Sequence, residues 1–178
     1  MLETLAIIAA PFAVIVVSAV VTQLGLLFGV EPSQHALTGM GDVDPQFYIY
    51  MVPLVILIVG PFEELLYRGV VQARLRESFG PAVAILLASL IFAAIHLPAH
   101  GFGQAGLSST AVSMIALVGG SIIFGGLYEW TENLTVVALV HGLYNSILLV
   151  MLYVVTVYGP EMQELAEASE PALAVVGL

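Results

Sequence analysis

The chain reads as an all-α polytopic membrane protein, a helical bundle of about five transmembrane helices with roughly four to six as the range. Three observations predict this. Sixty per cent of the 178 residues are apolar and 9% are charged, whereas a soluble domain carries roughly a quarter charged residues. Mean hydropathy is +1.07. The apolar residues also fall into runs of about 20 or more, the length that crosses hydrocarbon. The same composition excludes other classes. Disorder needs low hydrophobicity. Thirteen acidic residues against three arginines and no lysine leave no basic face, so no nucleic acid is expected as a partner. With no cysteine there is no disulfide and no thiolate metal site. No internal repeat or linker divides the chain, so 1–178 is read as a single transmembrane bundle.

The elements follow in order. Leu5 to Val30 is a first span, interrupted by the polar Ser18, Thr22 and Gln23; its apolar core is too long for a signal peptide and no basic residue precedes it. Glu31 to Asp44 holds Pro32, Ser33, Gly39, Gly41 and Asp42 and reads as a polar loop. A second span begins near Phe47 and continues to Ser78, its last turns with Arg74, Arg76 and Glu77 lying at the interface. Gly80-Pro81 breaks the chain. A third span runs from about Pro81 to Leu97 and is stopped by Pro98, and the Gly-rich stretch from His100 to Ser109 reads as a loop. A fourth span, about Thr110 to Tyr128, carries Gly119, Gly120, Gly125 and Gly126, small residues that let helices approach closely in lipid. After a polar turn at Glu129 to Asn133, a fifth span runs from Leu134 to Tyr158, with a break suggested near Gly142. Residues 160–178 form an acidic tail with Glu161, Glu164, Glu167 and Glu170, read as a solvated, mobile end. All three arginines lie between Arg68 and Arg76. By the positive-inside rule the Phe79–Gly80 turn is cytoplasmic, in a multi-pass protein of the cell membrane.

Polar groups inside a span are costly and default to functional hypotheses. Here they are Glu63, Glu64, Arg68, His96, His141 and Asn145. Glu64 and Arg68 are four apart on one helix face and can neutralise each other, which leaves Glu63 either in need of a donor or a metal from another helix or kept protonated by desolvation. Glu63 lies sixteen residues before Phe79 and His96 sixteen after Gly80. In an antiparallel pair both then sit about 24 Å along their helices from the turn, at equal depth. His141 and Asn145 share a face of the fifth span, and Phe92 lies on the face of His96 and packs beside it. A carboxylate, two imidazoles and an amide converging inside a membrane form a catalytic or metal-site inventory.

The three elements Glu63-Glu64-x-x-x-Arg68, Phe92-x-x-x-His96 and His141-x-x-x-Asn145, in that order on successive apolar segments, resemble the CPBP (Abi) intramembrane proteases. That family includes the type II CAAX prenyl endopeptidases and bacteriocin-processing or immunity proteins. The resemblance covers the core 61–152. It implies peptide-bond hydrolysis in a membrane cavity, with Glu63 and His96 activating a water and His141 and Asn145 donating to the oxyanion. Glu64 and Arg68 would support them. It leaves a Zn2+ ion open: Glu63, His96 and His141 would then ligate, with water in the fourth position and Glu64 as general base. The expected partners are a membrane-associated protein or peptide substrate and the lipid bilayer. The chain is short for the family, so a homo-oligomer is the candidate to complete the cavity walls. His100 is read as a loop residue and His35 is given no role.

The same residues also fit two other functions. One is a non-catalytic immunity or scaffold protein of the same fold, and the other a small proton or ion transporter using intramembrane Glu and His. The lack of lysine and the net charge of −10 would also suit a high-salt, halophilic setting.

Overall fold

The computed structural model describes residues 2–42, 44–103 and 105–176; of 39, 41–42, 102–103 and 164–176 only the backbone is described. Among the described residues every regular element is helical. Five helices are long and apolar enough to cross a membrane, as the sequence predicts. They are α1 (Leu2–Leu27), α2 (Gln46–Arg76), α3 (Pro81–His96), α4 (Leu107–Thr131) and α5 (Leu134–Val176).

Their outward faces suit lipid rather than water. Along α1, Leu5, Ile8, Phe12, Val16, Val20 and Leu24 recur every three or four residues and are each more than half exposed. Leu57, Phe62, Leu65 and Val70 on α2, spaced three or five apart, are likewise each more than half exposed. A continuous apolar surface of this size is an aggregation hazard in water and a matched surface in hydrocarbon. The chain is an integral membrane protein. Inside, α1 packs on α4 and α5, α3 on α4, and α2 on α5. One core cluster joins Val14, Phe124, Leu127, Val136, Val137 and Val140, and a second joins Tyr48, Val55 and Leu149.

Glycine sets the closest crossings. A Cβ at Gly142 would lie 2.8 Å from Ile56 Cα, and one at Gly60 would lie 3.0 Å from the Ala138 carbonyl oxygen. Gly60 and Gly142 therefore bring α2 and α5 backbone to backbone. A Cβ at Gly119 or Gly120 would meet Val17 or Val14 at 2.7 and 2.9 Å, so α1 seats on α4 through the small residues predicted for that purpose. No break occurs at Gly142. The helix runs straight through it, because that glycine serves a close approach and not a stop.

α2 is not a regular α-helix. Val55–Val59 and Leu65–Gln72 are wound as π-helix, on either side of the short α segment Gly60–Glu64. The Gly60 N–H reaches back five residues to the Val55 carbonyl, and the Ala73 N–H to that of Arg68. Pro53 and Pro61 lack an N–H and disturb the ladder nearby; the wide turns absorb the mismatch.

Several boundaries differ from the sequence reading. The polar loop of 31–44 contains a 3-10 helix, Ala36–Asp42, and another, Leu97–Gly103, follows α3. α4 begins at Leu107, earlier than expected. α5 does not end at Tyr158 but continues through Pro160 to Val176. Its Glu-, Gln-, Leu- and Ala-rich continuation is made of strong helix formers. The tail is therefore helical in backbone, while the side chains of Glu164, Glu167 and Glu170 lie outside the described residues.

The glycine crossing gives a stability test. Gly142→Ala should cost about 1–3 kcal/mol by overpacking and lower the melting temperature of the purified protein in detergent. Gly126→Ala, whose Cβ would meet nothing within 4 Å, should leave it unchanged or slightly raised. Equal melting behaviour of the two variants would refute the packing role.

Candidate active site

The site is built around Arg68. Its guanidinium is 1% exposed and lies 2.9 Å from Glu64 Oε1, on a carboxylate that is fully buried. The pair occupies i and i+4 on α2, as the sequence predicts. Arg68 also donates to the Ser121 carbonyl and hydroxyl on α4, each at 2.8 Å. Its Cζ lies 5.7 Å from the centroid of Phe92 and 5.5 Å from that of Phe124. Two aromatic faces thus help to offset the desolvation of this cation.

Glu64 holds a second partner that the sequence did not reveal. His141 Nδ1 lies 2.7 Å from the same Glu64 Oε1. A carboxylate only accepts, so Nδ1 carries the proton. The ring is fixed from one side by this bond and from the other by Phe124, stacked at 4.8 Å with an interplanar angle of 24°. Its other nitrogen, Nε2, faces Glu63 Oε2 at 3.5 Å. The imidazole nearest to Glu63 is therefore His141. With Glu63 ionised, a proton on His141 Nε2 makes this contact attractive. The imidazolium, Arg68, Glu63 and Glu64 then sum to zero charge, the condition under which ionised groups are tolerable at this depth.

His96 stands apart from that cluster but on the same cavity. Its Nδ1 lies 2.8 Å from the Phe92 carbonyl oxygen, so Nδ1–H donates and a neutral ring keeps Nε2 as an acceptor. Phe92 packs on His96 with centroids 4.3 Å apart, as expected, and Tyr67 meets Phe92 edge-on at 4.9 Å. Asn145 lies one turn beyond His141 on α5. Glu63, His96, His141 and Asn145 all line one cavity of about 640 Å³ with otherwise mostly apolar walls, including Val14, Val55, Leu117 and Leu148. Glu63 is the exposed member of the acidic pair, with 24% of its side-chain surface accessible.

Among the described residues, no three His, Asp or Glu side chains stand together so as to hold a metal ion. The trio Glu63, His96 and His141 shares the cavity without forming such a set. Each imidazole does have its Nδ1 fixed by an acceptor, which sets its tautomer.

Two further histidines belong to this cavity although the sequence reading gave them no part. His35 and His100 both line it, with their rings edge-to-face at 5.2 Å. His100 Nδ1 is 3.1 Å from Ser33 Oγ, and Ser33 donates to Ser113 on α4 at 2.9 Å. Burial, with His100 and His96 nearby, holds His35 below the usual imidazole range. The polar loop thus folds back over one end of the cavity. A loop histidine gives no period that would have placed it there.

The Arg68 cluster makes a clear stability prediction. Arg68→Ala strands Glu64 in the interior and should cost about 3–5 kcal/mol. Arg74→Ala removes an exposed pair with Glu77, and exposed pairs are worth little. Denaturant or thermal titration in detergent should show a large loss for the first and none for the second. A wild-type-like Arg68→Ala would overturn the assignment.

The comparisons with known proteins point to a family. Residues 45–147, more than half of the chain, match the family model described as type II CAAX prenyl endopeptidase Rce1-like. No curated protein and no solved structure matches. The matched stretch holds every one of the residues Glu63, Glu64, Arg68, Phe92, His96, His141 and Asn145. The chain belongs to the type II CAAX prenyl endopeptidase Rce1-like family.

Proposed function

We propose that the protein is an intramembrane endopeptidase that hydrolyses a peptide bond with a water activated by Glu63 and His96. The observation that carries this reading is the hydrogen-bond arrangement of the two imidazoles. His96 has its Nδ1–H committed to Phe92 and keeps an accepting Nε2. His141 has its Nδ1–H committed to Glu64 and turns Nε2 towards Glu63. His96 is thus prepared to take a proton, and His141, once protonated on Nε2 as well, to give one, on the same cavity as a partly accessible carboxylate.

The steps follow from those states. Water attacks the carbonyl carbon and loses a proton to His96 Nε2 or to Glu63. The carbonyl oxygen becomes an oxyanion and accepts hydrogen bonds from His141 Nε2–H and the Asn145 amide. The C–N bond then breaks, and the amine leaves with the proton held by His96 or Glu63. Proton transfer by a positioned side chain contributes about 10²–10⁴-fold, and an oxyanion donor about 10²–10³-fold. Glu64 and Arg68 act through His141: they fix its ring and hold the proton on its Nδ1. The apolar cavity suits a hydrophobic peptide segment or a lipid-bearing chain end. The family's name makes a prenylated CAAX protein the first substrate to try, and the cell membrane the first place to look.

A zinc-assisted route would use Glu63, His96 and His141 as ligands and supply a more acidic water. As placed, these three do not form a metal-holding group, so no step is assigned to a metal. A scaffold or immunity role has no use for an accessible Glu63 beside His141. A transporter needs polar groups spread across the bilayer, whereas these share one cavity.

The test is cleavage of prenylated and unmodified peptides by purified protein in detergent or lipid, with bound zinc measured on the same samples. Glu63→Gln is expected to lower kcat by about 10²–10⁴-fold, and Asn145→Ala by about 10²–10³-fold, both with unchanged melting temperature. Full activity in Glu63→Gln sinks the mechanism. Stoichiometric zinc that disappears in His96→Ala replaces it with the metal version. Ion flux in liposomes without any peptidase activity replaces it with transport.

A further inference from the structure

Behind the catalytic pair, α2 and α4 run in the same direction and are joined by a ladder of polar contacts. Arg68 meets Ser121, Gln72 donates to the Gly125 carbonyl at 3.1 Å, and Arg76 pairs with Glu129 at 3.1 Å. Gln72 also donates to Glu129 at 3.1 Å. Three atoms of this ladder have no protein partner: Glu64 Oε2, Arg68 Nε and Gln72 Oε1. They belong to residues four apart on one stretch of α2. All three side chains are at most 1% exposed.

We infer that this seam is a hydration site, in which ordered water molecules hydrogen-bond Glu64 Oε2, Arg68 Nε and Gln72 Oε1. A buried polar atom left unsatisfied costs about 1–3 kcal/mol, and native proteins carry few of them. Three in a row are too many to leave unserved. Their chemistry selects the ligand. Two are acceptors and one is a donor. A cation is repelled by the Arg68 guanidinium, and an anion finds two acceptor oxygens beside the single N–H. Water both donates and accepts and suits all three. The three residues lie on or beside the π-helical stretch Leu65–Gln72, a winding found mostly at functional sites.

The seam also leads out. Its last members, Arg76 and Glu129, are 38% and 26% exposed. At its inner end Glu64 holds the rear of His141, on the side away from the cavity. On the peptidase reading, water at Glu64 Oε2 helps to hold that pair while a substrate fills the cavity in front. The hydration itself does not depend on that reading.

The test is an experimental structure of the full chain in lipid, at a resolution that shows ordered water, for wild type and Gln72→Leu. Density is expected within about 2.7–3.2 Å of all three wild-type atoms, with the water beside residue 72 lost in the variant. A dry wild-type seam, with the three atoms turned onto protein partners, overturns the inference. So does density beside residue 72 that persists in Gln72→Leu. Failure to cleave any peptide would leave these maps unaffected, so the two readings fail separately.

Discussion

The Arg68 guanidinium is the constraint on which the rest of the site depends. A cation buried among apolar helices is costly by several kcal/mol unless it is paired and fully bonded. Each of its partners fixes another element. Glu64 neutralises it from the same helix. Ser121 binds it from α4. Phe92 brings in α3, and Phe124 brings the ring on which His141 stacks. Glu64 then uses the same oxygen to hold His141 of α5. Four helices meet at one charge. The orientation of His141, and through it the contact with Glu63, follows from how that charge is satisfied.

The backbone of α2 makes the convergence geometrically available. A regular helix presents residues 63 and 64 about 100° apart, so one faces the core and the other faces sideways. Here Glu64 is sealed and Glu63 reaches the cavity. The π turns on either side of this pair shift the phase of the apolar stripe before and after it. The crossing of Gly60 with Gly142 then draws α5 close enough for His141 to contact both carboxylates. Neither device contributes a reactive group.

What could be read from the residues was what depends on spacing along one chain. The Glu64–Arg68 pair is a one-turn relation, and so are Phe92–His96 and His141–Asn145. The matched depth of Glu63 and His96 needed only a count from the turn, and both do line the same cavity. What could not be read depends on how helices rotate about their axes. That His141 contacts Glu63 and Glu64 is such a fact, as are the places of Ser121 and Gln72. Gly142 illustrates the ambiguity: a glycine in an apolar run signals either a break or a close approach, and only the neighbour at Ile56 distinguishes them. His35 and His100 sit in 3-10 and loop segments without period. The extension of α5 past Pro160 went unseen because proline and clustered acids usually end a span, whereas here good helix formers carry the helix on.

Charge neutrality also bears on how such a site turns over in a low-dielectric setting. With both carboxylates ionised and His141 carrying a proton on each nitrogen, the state that the proposed mechanism needs, the cluster with Arg68 sums to zero before substrate arrives. Water and a peptide bond are both uncharged. On the proposed mechanism, the proton lost by the attacking water moves to Glu63 or His96, and a negative charge appears on the carbonyl oxygen beside His141. One negative charge is quenched, or one positive charge created, within the same cavity that gains the oxyanion. The total stays at zero through the intermediate, so no net charge has to be created or moved across hydrocarbon at any step. A site that started with the unpaired charge of Glu63 would be destabilised before reaction. One that lacked Arg68 would carry that penalty on Glu64 and would lose the orientation of His141 with it. Electrostatic preorganisation of this kind is worth more where water is excluded. That is a physical reason for so few charges in this chain to be gathered so tightly within α2.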